Sequence, residues 1–449
     1  MATMAEPPLA VIDDQPAWPH ERVAWYCVFV LALTLLVNFL DRGIIALLVP
    51  YIKADLHMSD TQLSLIMGFA FVMFYMVAGL PIARHADRGS RTRLIALGMA
   101  LWGGATALCG LARSFGSLFA FRMGVGVGEA CTGPATYSLL ADYFRPHRLP
   151  RAIACLNFGF IAGNGLAILI GGTLVSLLAS APDVVVPVFG ALRIWQAAFL
   201  MVGVPGLLVS LLVLTVPEPA RRTPGAVPSV GEVVRFLGRN RWVYAPMIVG
   251  MSLNTIVAVG QQSWGPAFFM RTYHWPIGRI ALVTGLTFLC VMPFGAIAGG
   301  WIAERWTRRG LHDANLRLTI VACALAWPFM IASPLMPSGW LAALAAAIGL
   351  FFTALLFGPQ NAAIQLVTPD RMRGQVTAVV LFGFNIIGYG LGPTVLALIT
   401  DYGFRDENQI RYALATCYAV ISPIALLVML SGLGPYRRAV AALHKDTRA

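Results

Sequence analysis

"NFLDRGIIALLVP", residues 38–50, sets an acid and a base, Asp41 and Arg42, inside an otherwise apolar run from Val23 to Ile52. Each such charge costs roughly 2.5 to 3.5 kcal/mol at the centre of a membrane helix on insertion scales. A chain that keeps both has a use for them. The surrounding sequence fits this reading, since 58% of its 449 residues are hydrophobic and 12% are charged, against about 25% charged in an ordinary soluble domain. Apolar stretches of about 20 residues, enough to cross a bilayer, recur twelve times. They centre near Leu35, Phe71, Ala105, Gly128, Ile168, Leu208, Val257, Leu289, Ala324, Leu350, Ile387 and Ile424. The first is too long for a cleaved signal and lacks a small-residue cleavage site, so a permanent span is expected.

The net charge of +12 points to topology rather than to nucleic acid. With the amino terminus inside, 23 of the 32 lysines and arginines fall in inner loops and tails and seven in outer loops, as the positive-inside rule requires. Both termini are then cytoplasmic in the inner, or plasma, membrane. All seven cysteines lie in spans and every histidine in a loop or tail, so neither a metal site nor a cofactor is expected. No phosphate-binding loop for ATP is present, and the proton gradient is the expected energy source.

The longest internal polar stretch, Pro217 to Trp242, divides the chain. The expected organisation is a tail at 1–22, a six-helix bundle at 23–216, a linker at 217–241, a second six-helix bundle at 242–432 and a tail at 433–449. Within the linker, Ser229 and Glu232 form a capping-box pattern ahead of Val230, Val233, Val234 and Leu237, which predicts a short amphipathic helix lying on the inner leaflet. The halves echo each other. "ARHADRGSR" (83–91) aligns with "GWIAERWTR" (300–308), "FGFIAGNGL" (158–166) with "FGFNIIGYGL" (382–391), and Gly133-Pro134 with Gly358-Pro359. Such duplication marks a two-bundle transporter with its site between the repeats. The same alignment sets Arg122 opposite Ala347 and Glu129 opposite Ala354, so charge is confined to the first half.

Away from span ends, four charges sit at membrane depth: Asp41, Arg42, Arg122 and Glu129. Arg122 and Glu129 are seven residues apart, about two turns or 10.5 Å on one helix face. Adjacent Asp41 and Arg42 diverge by about 100°. Neither pair can close on its own helix, so crosswise pairing is expected, Asp41 with Arg122 and Arg42 with Glu129. Gly124, Gly126 and Gly128 would let a neighbouring helix approach. Burial raises a carboxyl pKa and a nearby guanidinium lowers it, so movement of an arginine would make Asp41 or Glu129 a proton carrier. Arg42 and Arg122 are then counter-charge or substrate ligand. In the loop at 79–93, Asp87, with Arg88 and Arg91, is expected to act as a conformational switch by holding the helix end near Gly374 and Gln375. Asn254, Gln261, Gln360, Asn361 and Asn385 are candidate cavity contacts from the second half.

These motifs resemble the major facilitator superfamily: "ARHADRGSR" is similar to its signature loop, and the twelve spans and the repeat agree. Within it, "NFLDR" with "RMGVGVGEACTGPA" (122–135) resembles the bacterial-type, spinster-like lysolipid and sphingosine-1-phosphate transporters. The resemblance implies an all-α polytopic membrane protein of two pseudo-symmetric six-helix bundles, with proton coupling and head-group binding carried by Asp41, Arg42 and Glu129, and Arg122 as their partner. It also implies substrates such as lysophospholipids or sphingoid phosphates. The organic anion:cation symporters share the Asp-Arg and Glu-Ala steps, and "GFIAGNGLAILIGG" (159–172) lacks the proline of the antiporter signature. The expected protein is therefore not an enzyme but a monomeric, proton-coupled carrier working by alternating access on an amphipathic solute among membrane lipids. An organic anion:proton symporter is the alternative, and a non-transporting receptor or scaffold the distant one.

Overall fold

The computed structural model describes residues 18–86, 89–145, 147–180, 184–186, 190–221, 230–369 and 372–446. The first span is α1 (Glu21–Leu56). The second is α2 (Asp60–Ser64), a π-helical turn at Leu65–Phe69 and α3 (Ala70–Ala86). The third is α4 (Arg91–Cys109) and the fourth is split into α5 (Phe115–Ala130) and α6 (Gly133–Tyr143). The first bundle closes with α7 (Leu149–Ser180) and α8 (Ile194–Leu214). After α9 (Val230–Arg239) come α10 (Arg241–Tyr273), α11 (Ile277–Arg308) and α12 (Ala314–Leu335). The tenth span is split into α13 (Gly339–Ala354) and α14 (Phe357–Leu366). The eleventh is α15 (Arg373–Leu398), extended by a π-helical segment at Ile399–Phe404, and the last is α16 (Ile410–Asp446).

Eleven helical stretches among the described residues are long and apolar enough to cross a bilayer. The twelfth is the split fourth span. Its break at Cys131–Thr132 precedes Gly133-Pro134, and the break of the tenth span at Leu355–Leu356 precedes Gly358-Pro359. Proline has no N–H to donate and is favoured in a first helical turn, where Pro134 and Pro359 lie, although Pro50, Pro205 and Pro293 sit inside unbroken helices. The repeat read from sequence is thus a repeat of helix breaks. Helix stops repeat as well, because α1 and α10 both end on a histidine in the left-handed region, His57 (φ 50°) and His274 (φ 53°).

Packing follows the same two-fold plan. The first span lies against the fifth and sixth and the third against the fourth and sixth, while the seventh lies against the eleventh and twelfth and the ninth against the tenth and twelfth. The bundles meet along two equivalent seams, fifth against eighth and second against eleventh. At the second seam a side chain at Gly68 would come 2.6 Å from the Tyr389 carbonyl oxygen, so only glycine permits this approach.

The apolar core is fused at one end and divided at the other. At the end away from the linker, Ile44, Leu48 and Val49 of the first bundle share one cluster with Trp264, Phe268 and Trp275 of the second. Toward the linker end, Leu94, Met99, Leu139 and Leu156 belong to a first-bundle cluster, while Tyr244, Met247, Val376 and Met429 belong to a second-bundle one. The bundles are therefore closed at the far end and parted at the linker end. Outward-facing Phe29, Leu97, Leu208, Phe294 and Ile297 remain exposed, as a lipid-facing surface requires.

Two departures from the sequence reading are local. A small antiparallel hairpin, β1 (Val184–Val186) with β2 (Gly190–Leu192), interrupts the all-helical plan in register Val184↔Leu192; three successive β-branched valines favour it. At the other end of the chain, α16 runs past 432 without a break and buries Tyr436 and Val440, so the stretch expected as a tail at 433–449 is helical as far as Asp446. The expected linker helix is α9, with Val233 buried in the second-bundle core. Its capping residue, Ser229, lies outside the described residues.

The start of the linker is fastened to the first bundle. Glu218 accepts hydrogen bonds from Ser90 Oγ (3.0 Å), Thr92 N (2.9 Å), Thr92 Oγ1 (2.8 Å) and Arg91 Nε (2.8 Å), capping α4. Burial works against ionising this carboxyl, but the Thr92 amide and the Arg91 guanidinium outweigh it and hold its pKa at about 2. The linker therefore leaves from a rigid point.

Candidate functional site

The four intramembrane charges meet in the first bundle, crosswise. Arg122 donates from Nη1 to Asp41 Oδ2 at 2.7 Å. Thr106 Oγ1 donates to the other Asp41 oxygen at 3.1 Å. This pair is sealed, with Asp41 0% and Arg122 1% exposed. Arg42 donates from Nε to Glu129 Oε1 at 3.2 Å and from Nη2 to Glu129 Oε2, a two-pronged pair. Here the arginine side chain is 30% exposed and the glutamate 4%. One pair is thus almost wholly buried, with Arg122 reaching the cavity wall, while in the other the Arg42 side chain opens onto the cavity.

Local chain geometry explains the arrangement. Glycine in the fourth span does bring neighbours close: a side chain at Gly128 would come 2.6 Å from the Gly98 carbonyl oxygen of α4. Glu129 is the penultimate residue of α5, directly ahead of the helix break. The Arg42 guanidinium lies over the Phe71 ring of the first bundle (4.6 Å) and near the Tyr389 ring of the second (5.6 Å), contacts that suit a delocalised cation. Tyr389 therefore links the charged pair to the opposite bundle.

The cavity between the bundles has a volume of about 190 Å³ and is lined by Phe39, Arg42, Phe71 and Arg122 on one side and by Asn254, Gln261, Phe269 and Tyr389 on the other. Of the candidate second-half contacts, Asn254 and Gln261 line this cavity, and Gln360, Asn361 and Asn385 are not in its lining. The Asn361 and Asn385 amides instead donate to carbonyls one turn back on their own helices, Phe357 O (3.0 Å) and Leu381 O (2.8 Å). Sequence spacing does not reveal that alternative use of an asparagine. Asp87 and Arg88 of the expected switch loop lie outside the described residues. Arg91 is described and pairs with Asp142 of its own bundle and with Glu218 at the start of the linker, where it fastens the linker to the first bundle. Among the described residues no group of three His, Cys, Asp or Glu side chains gathers to hold a metal.

Sequence reasoning missed the cluster that shuts the far end. Asp60, 1% exposed, takes a bidentate pair from Arg271 of the second bundle (2.6 and 2.9 Å) and a bond from Lys53 (2.7 Å). Lys53 in turn binds Glu407, and both the amide and the hydroxyl of Thr61 donate to Asp401 at 2.7 Å. Counting loop charges for topology hid the fact that opposite charges on different loops pair. Asp60→Asn is expected to shift the equilibrium toward opening of this end by about tenfold or more, the factor that about 1.4 kcal/mol commands. Distances between spin labels at Arg113 and Arg405 measure it, and an unchanged distribution would rule it out.

Comparison with known proteins agrees with this geometry. Residues 31–393 match the Major Facilitator Superfamily. An MFS-type efflux pump of Mycolicibacterium smegmatis is 29% identical over 402 residues, 88% of this chain and 89% of that protein. A probable L-galactonate transporter of Escherichia coli K12 is 22% identical over 432 residues, 90% of this chain and 88% of that protein. The crystal structure of a bacterial homologue of the human lysosomal transporter Spinster, inward-facing and unoccupied, superposes with a TM-score of 0.77 at 26% identity, covering 95% of this chain and 99% of that one. With its repeated broken helices, its charged first bundle and its spinster-like relatives, the chain belongs to the major facilitator superfamily of membrane transporters.

Proposed function

We propose that the protein is a proton-coupled secondary active transporter that works by alternating access and carries an amphipathic, lipid-like anion of the lysophospholipid or sphingoid phosphate type. It acts as a monomer in the inner, or plasma, membrane with both termini in the cytoplasm and needs no cofactor beyond the gradient. The basic bias of the linker-end loops supports this orientation, which makes the described state inward-facing. The observation that carries the proposal is the Arg42–Glu129 pair, exposed to the cavity and touching Tyr389 across it. An anionic head group that takes Arg42 leaves Glu129 without its partner, so Glu129 binds a proton. Rocking of the bundles moves Tyr389 relative to that pair and couples the exchange to the conformational change. Asp41, held by Arg122 and Thr106, ties the first span to the third and fourth.

A second reading is favoured by one observation. The cavity's 190 Å³ falls below the range of about 300–1,000 Å³ usual for sites that enclose a drug-sized ligand. It suits a head group or a small organic acid better than a whole lipid. The probable galactonate transporter among the relatives fits that alternative, an organic anion:proton symporter. Uptake and efflux of labelled lysolipid and labelled galactonate in proteoliposomes, with and without acid outside, separates the two. Flux of neither solute, or flux indifferent to the pH gradient, sinks proton-coupled transport.

A further inference from the structure

The alignment of the halves sets Ala347 and Ala354 where the first half has Arg122 and Glu129. The cavity also reaches into the second bundle, between Cys323, Ala326, Met330, Ala346, Leu350 and Thr353. Among the described second-bundle residues that line the cavity, two carry a buried polar atom without a hydrogen-bond partner: Trp327 Nε1 on α12 and Gln261 Oε1 on α10. The nearby hydroxyls of Thr287 and Thr353 are already donated to Val283 O (2.7 Å) and Gly349 O (3.0 Å). A buried donor or acceptor without a partner is destabilising, and such an atom in a native site calls for a ligand, ion or water to meet it.

We propose that Trp327 Nε1 and Gln261 Oε1 form a neutral hydrogen-bonding subsite, in the same cavity as Arg42, for hydroxyl groups of the transported anion. Trp327 can only donate and Gln261 Oε1 can only accept. A hydroxyl does both, so a hydroxylated solute meets both needs and a bare hydrocarbon meets neither. The inference rests on the anionic-substrate reading above and narrows it: the solute has a negative end at Arg42 and one or more hydroxyls at the second-bundle end. A polyhydroxy acid and the glycerol portion of a lysolipid both carry this chemistry.

The test is equilibrium binding by calorimetry to the purified full-length protein with two probe pairs. One pair is D-gluconate and hexanoate, equal in length and charge, with and without hydroxyls. The other is 1-oleoyl lysophosphatidic acid and its 2-deoxy analogue. The hydroxylated member of the pair that fits is expected to bind at least about tenfold more tightly, and the identity of that pair tells a free acid from a lipid. Trp327→Phe, which keeps the ring and removes the N–H, and Gln261→Met, which keeps the length, are each expected to cut that preference about tenfold while the deoxy member binds as before. Equal affinity of both members in the wild-type protein, or a preference untouched in both variants, overturns the subsite and leaves the anion reading standing. If none of the four probes binds, while a melting curve shows folded protein, the anion reading fails and the subsite with it.

Discussion

Arg122→Met is expected to lower stability by about 3–5 kcal/mol, because it leaves the Asp41 carboxylate buried without its counter-charge. That carboxylate is fully buried, and its remaining donor is the single hydroxyl of Thr106. The double variant Asp41→Leu/Arg122→Met is expected to recover most of the loss, since a well-packed apolar pair of similar volume is often as stable as a buried ion pair. Thermal unfolding in detergent, read by the fluorescence of buried tryptophans, measures both. A single variant no worse than loss of the exposed Arg308–Glu304 pair, about 0.3–0.5 kcal/mol for a helical i,i+4 pair, would show that the buried pair does not hold the first and fourth spans together. Recovery of stability without recovery of transport would assign the charges to function.

The second large effect belongs to the other pair. Glu129→Gln keeps the size of the side chain and a hydrogen bond to Arg42 but cannot change its charge. It is expected to abolish gradient-driven accumulation while sparing exchange of solute for solute, which needs no net proton movement. In the wild type each coupled proton supports up to about tenfold accumulation per pH unit, the equivalent of about 1.36 kcal/mol. In the variant the ratio is expected to fall to about one. Accumulation and counterflow measured on the same proteoliposomes distinguish the outcomes. Accumulation that survives in Glu129→Gln would move the coupling to Asp41 or remove it altogether.

The frame was legible because hydrophobic length and loop charge are properties of single segments. Twelve spans and the duplicated Gly-Pro steps are read from composition and local sequence alone; that the chain breaks its helices at those steps was not. The crosswise pairing was legible too, since two charges on one helix at unsuitable angles must look elsewhere. What escaped were partners chosen by tertiary geometry. Asp60 and Arg271 lie 211 positions apart in sequence and meet only because two bundles close at one end. Tyr389 sits in the quoted repeat "FGFNIIGYGL", yet its place over Arg42 depends on the seam at Gly68, which no periodicity encodes. Asn361 and Asn385 lie outside the lining of this cavity; their amide nitrogens donate to carbonyls one turn back, while Asn361 Oδ1 is buried without a partner.

The two acids and two bases at membrane depth sum to zero. An empty carrier with both pairs closed therefore swings through the transmembrane field without moving net charge, and its return is indifferent to voltage. A monoanion accompanied by one proton crosses equally silently. A dianion with one proton carries one negative charge, and an inside-negative potential then opposes its import by about 2.3 kcal/mol for every 100 mV and favours its export by the same amount. The charge state of the cargo, set against this internally neutral frame, decides which way the membrane potential pushes.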